Sequence, residues 1–452
     1  MNGLRNLPSA LWIIVATFVV MCCVFNAKTP YRQPGVLIYQ TNPETGERQT
    51  ALDIGAPDER QHANYIAGLK KGEGFKKIVP GDPNLYEYYQ AHQPPLYYLL
   101  ATGWSFATGA DPADASGGFR VRFLNTLIGA LTLIGTFFCA RWGLKRDDIG
   151  LTAAAFVGLL PMSVALHSAV SNDPLLYCIC AWTLAFVLRG ANEGWTKQTV
   201  IWISVLIGLG LLTKTNAIAL IPVTLLGMML SMKKEEHRPN PVHWGLVLVV
   251  PLVIASPWLM RNMNLYGDPF ALSVFQDAFT GNPKASLFIQ AFGAQTYWLN
   301  FVMWWTTRSF VGAFGYMDIF IFESTPGASA PFYTAVILII TVICAVGLVG
   351  PGKTESEVDQ PIDRKTFHLI SGVLFLLTLF FFMRFNSEYF QGQARYLFPA
   401  LASFGLAFAC GMSVILKDKR ANGWVVCAVF MLILDVLALM AINQGFPLRI
   451  TS

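Results

Sequence analysis

Two polar segments that carry acids and histidines follow the first apolar run of the chain. The first begins at Pro57 and contains Asp58, Glu59 and His62. The second begins at His92 and continues as Gln-Pro-Pro-Leu-Tyr-Tyr. A carboxylate can take a proton from an attacking hydroxyl, and a nearby histidine can help to hold a metal ion. Because both segments lie in a polar stretch of an otherwise apolar chain, they predict a catalytic base at the mouth of a membrane helix bundle.

The first segment has the pattern of a helix start. Pro57 suits the first turn, because its missing N–H costs nothing there. Asp58, His62 and Tyr65 follow at helical spacing and share one face. The helix dipole would favour the ionised form of Asp58, whereas Glu59 would point about 100° away and is the weaker catalytic candidate. The alternative is that both acids merely favour a helix N-terminus.

The composition excludes a soluble globular protein. Of the 452 residues, 54% are hydrophobic and 13% are charged, and the mean hydropathy is +0.48, whereas soluble domains carry about 25% charged residues. An all-α, polytopic transmembrane helix bundle is the expected class, since helices satisfy their own backbone in lipid. All eight cysteines fall in apolar stretches, where they are expected to be small buried hydrophobes. No basic cluster with interleaved aromatics is visible, so nucleic acid is not an expected partner.

Apolar runs predict eleven membrane spans, since about 20 apolar residues cross the hydrocarbon core. The predicted spans are 8–27, 119–140, 149–169, 173–189, 198–213, 215–232, 243–260, 331–349, 366–383, 396–416 and 422–441. The odd number puts the termini on opposite sides. With a cytoplasmic N-terminus and an extracytoplasmic C-terminus, every short inner loop contains at least two Lys or Arg residues, as the positive-inside bias requires.

In this arrangement residues 1–452 form a single integral membrane domain. It has two long extracytoplasmic loops, 28–118 and 261–330, of which the first holds both polar segments. The stretch 94–108 is too short for a span, so we expect an interfacial helix with its tyrosines at the lipid–water boundary. The N-terminal apolar run has no small-residue cleavage site and is expected to be an uncleaved first span.

The first loop contains three short motifs in order. They are Asp-Glu at 58–59, Tyr-Ile-Ala at 65–67 and Gln-Pro-Pro-Leu-Tyr-Tyr at 93–98. Together they resemble the first extracytoplasmic loop of the GT-C glycosyltransferases, of which the lipid A aminoarabinose transferases and the protein O-mannosyltransferases are the most similar types. Further similar motifs are Ser171-Asn172-Asp173-Pro174-Leu175, Leu212-Thr213-Lys214, Pro257-Trp258 with Arg261-Asn262, and Gln393-Ala394-Arg395-Tyr396-Leu397-Phe398-Pro399.

The resemblance implies a reaction. The donor would be a sugar on a polyprenyl phosphate, and the acceptor would be a glycan, lipid or protein on the extracytoplasmic face. An acceptor hydroxyl would displace the lipid phosphate at the anomeric carbon with inversion, and Asp58 would take the hydroxyl proton. Asp173, at the outer end of the fourth predicted span, could position the acceptor, orient a catalytic group or help to bind a metal, or it could simply begin a helix.

Three cations fall at the outer ends of predicted spans: Lys214, Arg261 and Arg395. We expect them to hold the donor phosphate, which an arginine can grip with two N–H groups. Tyr396 and Asn262 could add hydrogen bonds. The alternative is that these cations reach the headgroups of membrane lipids.

His62, His92 and Gln93 complete the expected substrate-binding site. Asp58 and His92 could also hold a divalent metal ion, the one cofactor that the pattern suggests, although the spacing matches no zinc motif. The chain departs from the aminoarabinose transferases at His92, where those proteins have a glutamate metal ligand.

Two other functions stay open. A transporter or flippase would carry charges inside its spans and often shows matching halves; here the spans are nearly free of charge, with Asp435 a clear exception. A non-catalytic, lipid-glycan-binding subunit could keep the same fold. In the second loop, aromatic side chains could stack on sugars or mark the membrane interface, and Asp318 and Glu323 could touch an acceptor. A bacterial inner membrane is the expected location.

Overall fold

The computed structural model describes residues 7–41, 46–233, 235–278, 283–323, 327–350 and 364–450. Within these ranges the chain is mostly helical, with two short antiparallel hairpins, which confirms the all-α class. Seven helical stretches are long and apolar enough to cross a membrane, which confirms an integral membrane protein. They are Ser9–Lys28, Ala115–Gly143, Asp173–Glu193, Glu235–Tyr266, Ala330–Val349, Arg364–Asn386 and Ala394–Gly445.

The helices before the second long loop are α1 (Ser9–Lys28), α2 (Glu59–Lys70), α3 (Leu85–Tyr88), α4 (Leu96–Thr108), α5 (Gly118–Gly143), α6 (Asp147–Leu159), α7 (Pro161–Leu166), α8 (Asp173–Glu193), α9 (Lys197–Leu211), α10 (Leu220–Ser231) and α11 (Pro241–Tyr266). Those that follow are α12 (Leu272–Ala278), α13 (Ala285–Phe292), α14 (Ala294–Thr296), α15 (Met303–Val311), α16 (Ala330–Val349), α17 (Arg364–Asn386), α18 (Leu401–Leu416) and α19 (Gly423–Gly445). The hairpins pair β1 (Gly35–Thr41) with β2 (Arg48–Ala51), and β3 (Ala313–Phe314) with β4 (Ile319–Phe320).

Each of the eleven predicted spans coincides with a helix or with consecutive helices. The predicted span 149–169 is split into α6 and α7. The split falls at Leu160, whose extended backbone has ψ 123°, and at Pro161, which cannot donate the hydrogen bond that would continue α6. The helices α9 and α10 have only 15 and 12 residues, so the number eleven stays a prediction.

Burial separates central from peripheral helices. The most apolar window of α8 is 78% buried, and that of the stretch containing α5 is 67% buried, whereas that of α16 is 22% buried. The helices α5 and α8 therefore form the centre of the bundle, and α16 can face lipid. Where α16 meets α18 the contact requires glycine, because a Cβ atom on Gly411 would lie 1.9 Å from the carbonyl oxygen of Ile343.

The helix α4 packs against α2. It has 13 residues and is not among the candidate spans, as expected for the stretch 94–108. Its tyrosines lie elsewhere than predicted: Tyr97 and Tyr98 are fully buried, and the Tyr98 ring stacks on Tyr65 at 4.0 Å between centroids. The exposed side of α4 carries Leu99 and Phe106 instead. The prediction of boundary tyrosines was therefore wrong, because these rings pack the first loop onto the bundle.

Two acids of the second long loop are structural. The Asp318 side chain is fully buried and accepts hydrogen bonds from Arg449 and from the backbone N–H of Ile38, each at 2.7 Å. Glu323 accepts hydrogen bonds from two backbone N–H groups of its own loop. These bonds occupy both carboxylates, so the expectation that they touch an acceptor finds no support in their positions.

Candidate functional site

Asp58 lies directly before α2 in an unusual backbone conformation. The helix begins at Glu59, so Asp58 does not occupy the first turn as predicted. Its φ of 61° is in the left-handed region, which residues other than Gly, Asn and Asp rarely adopt. Its side chain makes no capping hydrogen bond to the helix. Such a conformation persists where surrounding contacts fix it, and it is typical of functional sites.

Two side chains hold the Asp58 carboxylate. Arg395 Nη2 donates to Oδ2 at 2.6 Å, and the Tyr89 hydroxyl donates to Oδ1. The side chains of Asp58 and Arg395 are 20% and 6% exposed. Burial raises the pKa of Asp58, but the charge of Arg395 and the hydrogen bond from Tyr89 outweigh it, so the pKa lies below its ordinary value. Asp58 is therefore ionised at neutral pH and is a weak base while Arg395 binds it.

Asp173 and Lys214 form a second ion pair. Lys214 Nζ donates to Asp173 Oδ1 at 2.5 Å. Asp173 is the first residue of α8, where the helix dipole favours a carboxylate. Lys214 lies in the turn that follows α9. Lys214 thus binds a carboxylate inside the protein rather than a lipid headgroup.

Tyr396 and His62 join the two ion pairs into one site. Arg395 Nη2 donates to the Tyr396 hydroxyl at 3.3 Å, and the Lys214 ammonium lies 5.5 Å from the centre of the Tyr396 ring. The charges of all four paired groups act on the His62 ring. The predicted meeting of the two aspartates and the cations is thus observed for two of the three cations. We name this site the acid–cation cluster; its members are Asp58, Asp173, Lys214, Arg395, Tyr396 and His62.

Both histidines of the first loop are neutral at pH 7. Burial lowers the pKa of His62 to about 4, and its Nδ1 shares a hydrogen bond of 2.8 Å with the Tyr98 hydroxyl. Burial also lowers the pKa of His92 to about 4, and its Nδ1 donates to the Tyr89 carbonyl at 2.6 Å. The charges of the cluster, two carboxylates and two cations, therefore balance without the histidines.

Gln93 connects His92 to the second ion pair. Gln93 Nε2 donates to His92 Nε2 at 3.0 Å, and Gln93 Oε1 accepts a hydrogen bond of 3.2 Å from Asn172 Nδ2. Asn172 also donates to the Thr213 carbonyl at 3.1 Å. Since Asn172 and Thr213 are chain neighbours of the second ion pair, the predicted substrate-binding residues His92 and Gln93 lie beside the cluster.

The predicted metal pair does not fit a metal in this arrangement. Within the described ranges, no group of three or more His, Cys, Asp or Glu side chains could hold an ion. Both ring nitrogens of His92 are engaged by neighbouring residues, and both carboxylate oxygens of Asp58 accept hydrogen bonds. We therefore derive no step of a reaction through a metal.

Glu59 belongs to a different contact network from that of its neighbour Asp58. Its carboxylate accepts two hydrogen bonds from Arg122, at 2.7 and 2.5 Å, and one from the backbone N–H of Val170 at 2.7 Å. Arg122 also donates to two backbone carbonyls just after α1. Glu59 is fully buried in these contacts. It ties α2 to α5 and α1, so its position does not support the weaker catalytic role predicted for it.

Arg261 and Asn262 lie outside the cluster. Because α11 continues to Tyr266, Arg261 lies within this helix rather than at its end. Its guanidinium donates to two backbone carbonyls of the first loop and lies 4.5 Å from the centre of the Trp258 ring. Asn262 donates to a carbonyl in the turn after α11. The predicted clamp of three cations is therefore reduced to Lys214 and Arg395.

Arg122, which holds Glu59, and Tyr89, which holds Asp58, were not among the residues predicted from the sequence. Arg122 lies in the predicted span 119–140, where a charged residue usually has a functional or structural partner, so the sequence did carry a signal. Tyr89 is one of several tyrosines in the first loop, and nothing in the pattern distinguished it from the others. Its role follows only from the fold, which brings its hydroxyl to Asp58.

Comparison with known proteins identifies one matching sequence family. The sequence model of the dolichyl-phosphate-mannose-protein mannosyltransferase family matches residues 93–260, a range that contains Asp173 and Lys214. The range begins after Asp58 and ends before Arg395. No curated protein shows a significant sequence match.

Two solved structures share the fold. ArnT from Cupriavidus metallidurans, bound to undecaprenyl phosphate, is 14% identical with a TM-score of 0.54, and the match covers 96% of this chain and 78% of that chain. The oligosaccharyltransferase of Archaeoglobus fulgidus, in complex with zinc and sulfate, is 15% identical with a TM-score of 0.50, and the match covers 95% of this chain and 53% of that chain. Together with the family match, these findings agree with the resemblance that the sequence indicated: the chain has the membrane-protein fold of these two structures, and residues 93–260 match the mannosyltransferase family model.

Proposed function

We propose that the protein moves a sugar from a polyprenyl-phosphate donor to a hydroxyl of a glycan, lipid or protein acceptor on the extracytoplasmic face. The observation that carries this proposal is the acid–cation cluster, in which two carboxylates and two cations from four separate parts of the chain lie together. The match to a mannosyltransferase family and the lipid phosphate bound by ArnT support it. Such a transfer needs a base for the hydroxyl and positive charge for the phosphate.

Arg395 and Lys214 are the groups suited to the donor phosphate. Arg395 uses Nη2 to bind Asp58, while its buried Nε has no hydrogen-bond partner within the described part of the chain. This N–H can donate to a phosphate oxygen, and charge-assisted bonds of this kind are strong. Asp173 holds Lys214 in position beside it.

Donor binding would also activate the base. While Arg395 binds Asp58, its positive charge keeps the pKa of that carboxyl low. A phosphate that draws the guanidinium toward itself weakens this contact, so the pKa of Asp58 rises and the carboxylate becomes a stronger base. Proton transfer is then favoured only when a donor is in place.

The proposed reaction is a single displacement. The acceptor oxygen attacks the anomeric carbon, and its proton passes to Asp58. As the new carbon–oxygen bond forms, the bond between the anomeric carbon and the phosphate oxygen breaks, and the lipid phosphate leaves with the electron pair. Lys214 and Arg395 offset the charge that the phosphate gains. One displacement inverts the configuration at the anomeric carbon.

The proposed location is the bacterial inner membrane, with the N-terminus in the cytoplasm and the C-terminus outside. The distribution of Lys and Arg over the short loops supports this orientation. It puts the first long loop, and with it Asp58, on the extracytoplasmic side.

Mass spectrometry of surface glycans tests the proposal. We expect cells without the protein to lack one hexose, pentose or deoxysugar, and the wild-type gene to restore it. An Asp58→Asn gene should fail to restore it although the variant is present in the membrane. Identical glycans in cells with and without the protein would contradict the proposed transfer.

A further inference from the structure

Arg308 is a buried arginine with two nitrogens that lack a hydrogen-bond acceptor among the described residues. It lies in α15, in the second long loop, and is 2% exposed. Its Nε and Nη2 have no hydrogen-bond partner among residues that the structure describes. A guanidinium stays protonated in proteins, so Arg308 cannot escape burial of its charge by losing a proton.

Aromatic rings cover the face of this guanidinium but offer no hydrogen-bond acceptor to the N–H groups at its edge. Arg308 Cζ lies 3.5 Å from the ring centre of Trp304 and 5.5 Å from that of Tyr333. Cation–π contacts of this kind offset part of the lost hydration. The N–H groups, however, point outward in the guanidinium plane, where a stacked ring offers no acceptor. A buried charged donor without an acceptor is destabilising, so the geometry favours binding of an anion.

The charge of Glu323 acts on Arg308, but no ion pair joins the two among the described contacts. The Glu323 carboxylate instead accepts hydrogen bonds from the backbone N–H groups of Gly327 and Ser329, at 2.6 and 3.1 Å, and from the Ser329 hydroxyl. Nε and Nη2 of Arg308 therefore have no acceptor among the described residues.

Arg308 lies beside the first turns of α16. Tyr333 is in the first turns of α16, a helix whose apolar window is only 22% buried and so can face lipid. The next residue, Ser309, accepts a hydrogen bond of 2.9 Å from the backbone N–H of Ala394, directly before Arg395. Arg308 is thus near the same end of the bundle as the acid–cation cluster, beside the start of a helix that can face lipid. In the proposed orientation this end is the outer one.

We propose that Arg308, Trp304 and Tyr333 form a phosphate-binding site for the headgroup of an outer-leaflet lipid, separate from the acid–cation cluster. The phosphate would accept hydrogen bonds from Nε and Nη2 of Arg308, a pairing that suits the geometry of a guanidinium. The acyl chains would lie along α16. The site is independent of the proposed sugar transfer and is tested without it.

The test measures binding and melting temperature of the full chain in detergent, with phosphatidylglycerol or inorganic phosphate as the probe. Arg308→Met removes the charge, and Arg384→Met is the control, since Arg384 is 62% exposed on α17. For Arg308→Met we expect phosphatidylglycerol to bind about tenfold more weakly or worse, because charged hydrogen bonds are lost. Without the lipid, the same variant should melt no lower than the wild type, because an unpaired buried charge is gone.

The outcomes separate the possible ligands. Stabilisation by inorganic phosphate but not by the lipid, lost in Arg308→Met, would support a phosphate site and overturn its assignment to a lipid headgroup. An unchanged response of Arg308→Met to both probes would overturn the site itself. If Arg308→Met does not fold, Arg308→Lys is used instead, because it keeps the charge but loses the planar guanidinium. Wild-type affinity of Arg308→Lys for phosphatidylglycerol would also overturn the proposal.

Discussion

Asp58 and Arg395 lie 337 positions apart in the sequence, and their side chains form an ion pair with a separation of 2.6 Å. Asp58 comes from the first long loop, and Arg395 comes from the 3₁₀ turn that leads into α18. The fold thus brings the candidate base and a candidate phosphate-binding cation together from opposite ends of the chain. A donor phosphate and Asp58 would compete for the same guanidinium.

Replacing Asp58 by asparagine is expected to abolish sugar transfer. The amide cannot take a proton, and a general base contributes about 10²–10⁴ to the rate. The measurement is the initial rate of transfer from a labelled polyprenyl-phosphate sugar by purified protein. Asp114→Asn changes an exposed acid of the same loop and should leave the rate unchanged. A wild-type rate in Asp58→Asn would exclude Asp58 as the base.

Lys214→Met and Arg261→Met are expected to behave differently. Lys214 lies in the cluster, and loss of one group that stabilises developing charge costs about 10²–10³ in rate. Arg261 binds loop carbonyls outside the cluster, so its loss should change the rate by no more than about threefold, as expected for a change of about 0.5 kcal/mol. Transfer rates of the two purified variants decide between the two-cation clamp and the three-cation clamp. Equal losses of transfer rate in the two variants would show that Arg261 belongs to the site.

The buried pair of Glu59 and Arg122 is expected to govern stability rather than chemistry. Arg122→Met leaves a carboxylate buried without its partner, which costs about 3–5 kcal/mol. The double variant Glu59→Leu with Arg122→Met should recover much of this loss, because no charge stays unpaired. Melting temperatures of the single and double variants provide the test. A double variant less stable than Arg122→Met would show that Glu59 makes a further contribution of its own.

Stability should fall with acid through His62. Burial lowers the pKa of this residue from 6.5 to about 4. Between these values the unfolded chain binds a proton that the folded chain does not, so stability is full above pH 6.5 and is lost as the pH falls toward 4. The slope for one histidine is at most about 1.4 kcal/mol per pH unit. The melting temperature of His62→Gln should therefore depend less on pH over this window than that of the wild type. An equal dependence on pH in the two proteins would contradict the prediction.

The membrane fold was largely predictable from the sequence, because lipid leaves the backbone few choices. Long apolar runs become helices, and every predicted span coincides with helical structure. The interruption at Pro161 follows from a local rule as well. The surroundings of Tyr97 and Tyr98 were not predictable, since an aromatic side chain suits either the lipid–water boundary or a packed interior, and only tertiary contacts decide between them.

The site was predictable only in part. Motif order indicated that Asp58, Asp173, Lys214 and Arg395 lie near one surface, and the two ion pairs bring them together. Which side each residue faces depends on where its helix begins and ends. The helix α2 begins two residues later than expected and α11 ends later, so Asp58 precedes its helix and Arg261 lies within a helix rather than at its end.

The positive φ of Asp58 restricts which replacement can serve as a clean probe of its chemistry. Asparagine tolerates a left-handed backbone, but alanine does so at a cost of roughly 1–2 kcal/mol. If Asp58→Ala were inactive, the loss could therefore come either from the missing proton acceptor or from a changed backbone at the start of α2. Asparagine removes the basic carboxylate and keeps the local backbone conformation. Asp58→Asn therefore tests the chemical role of Asp58 separately from its structural role, which Asp58→Ala cannot do.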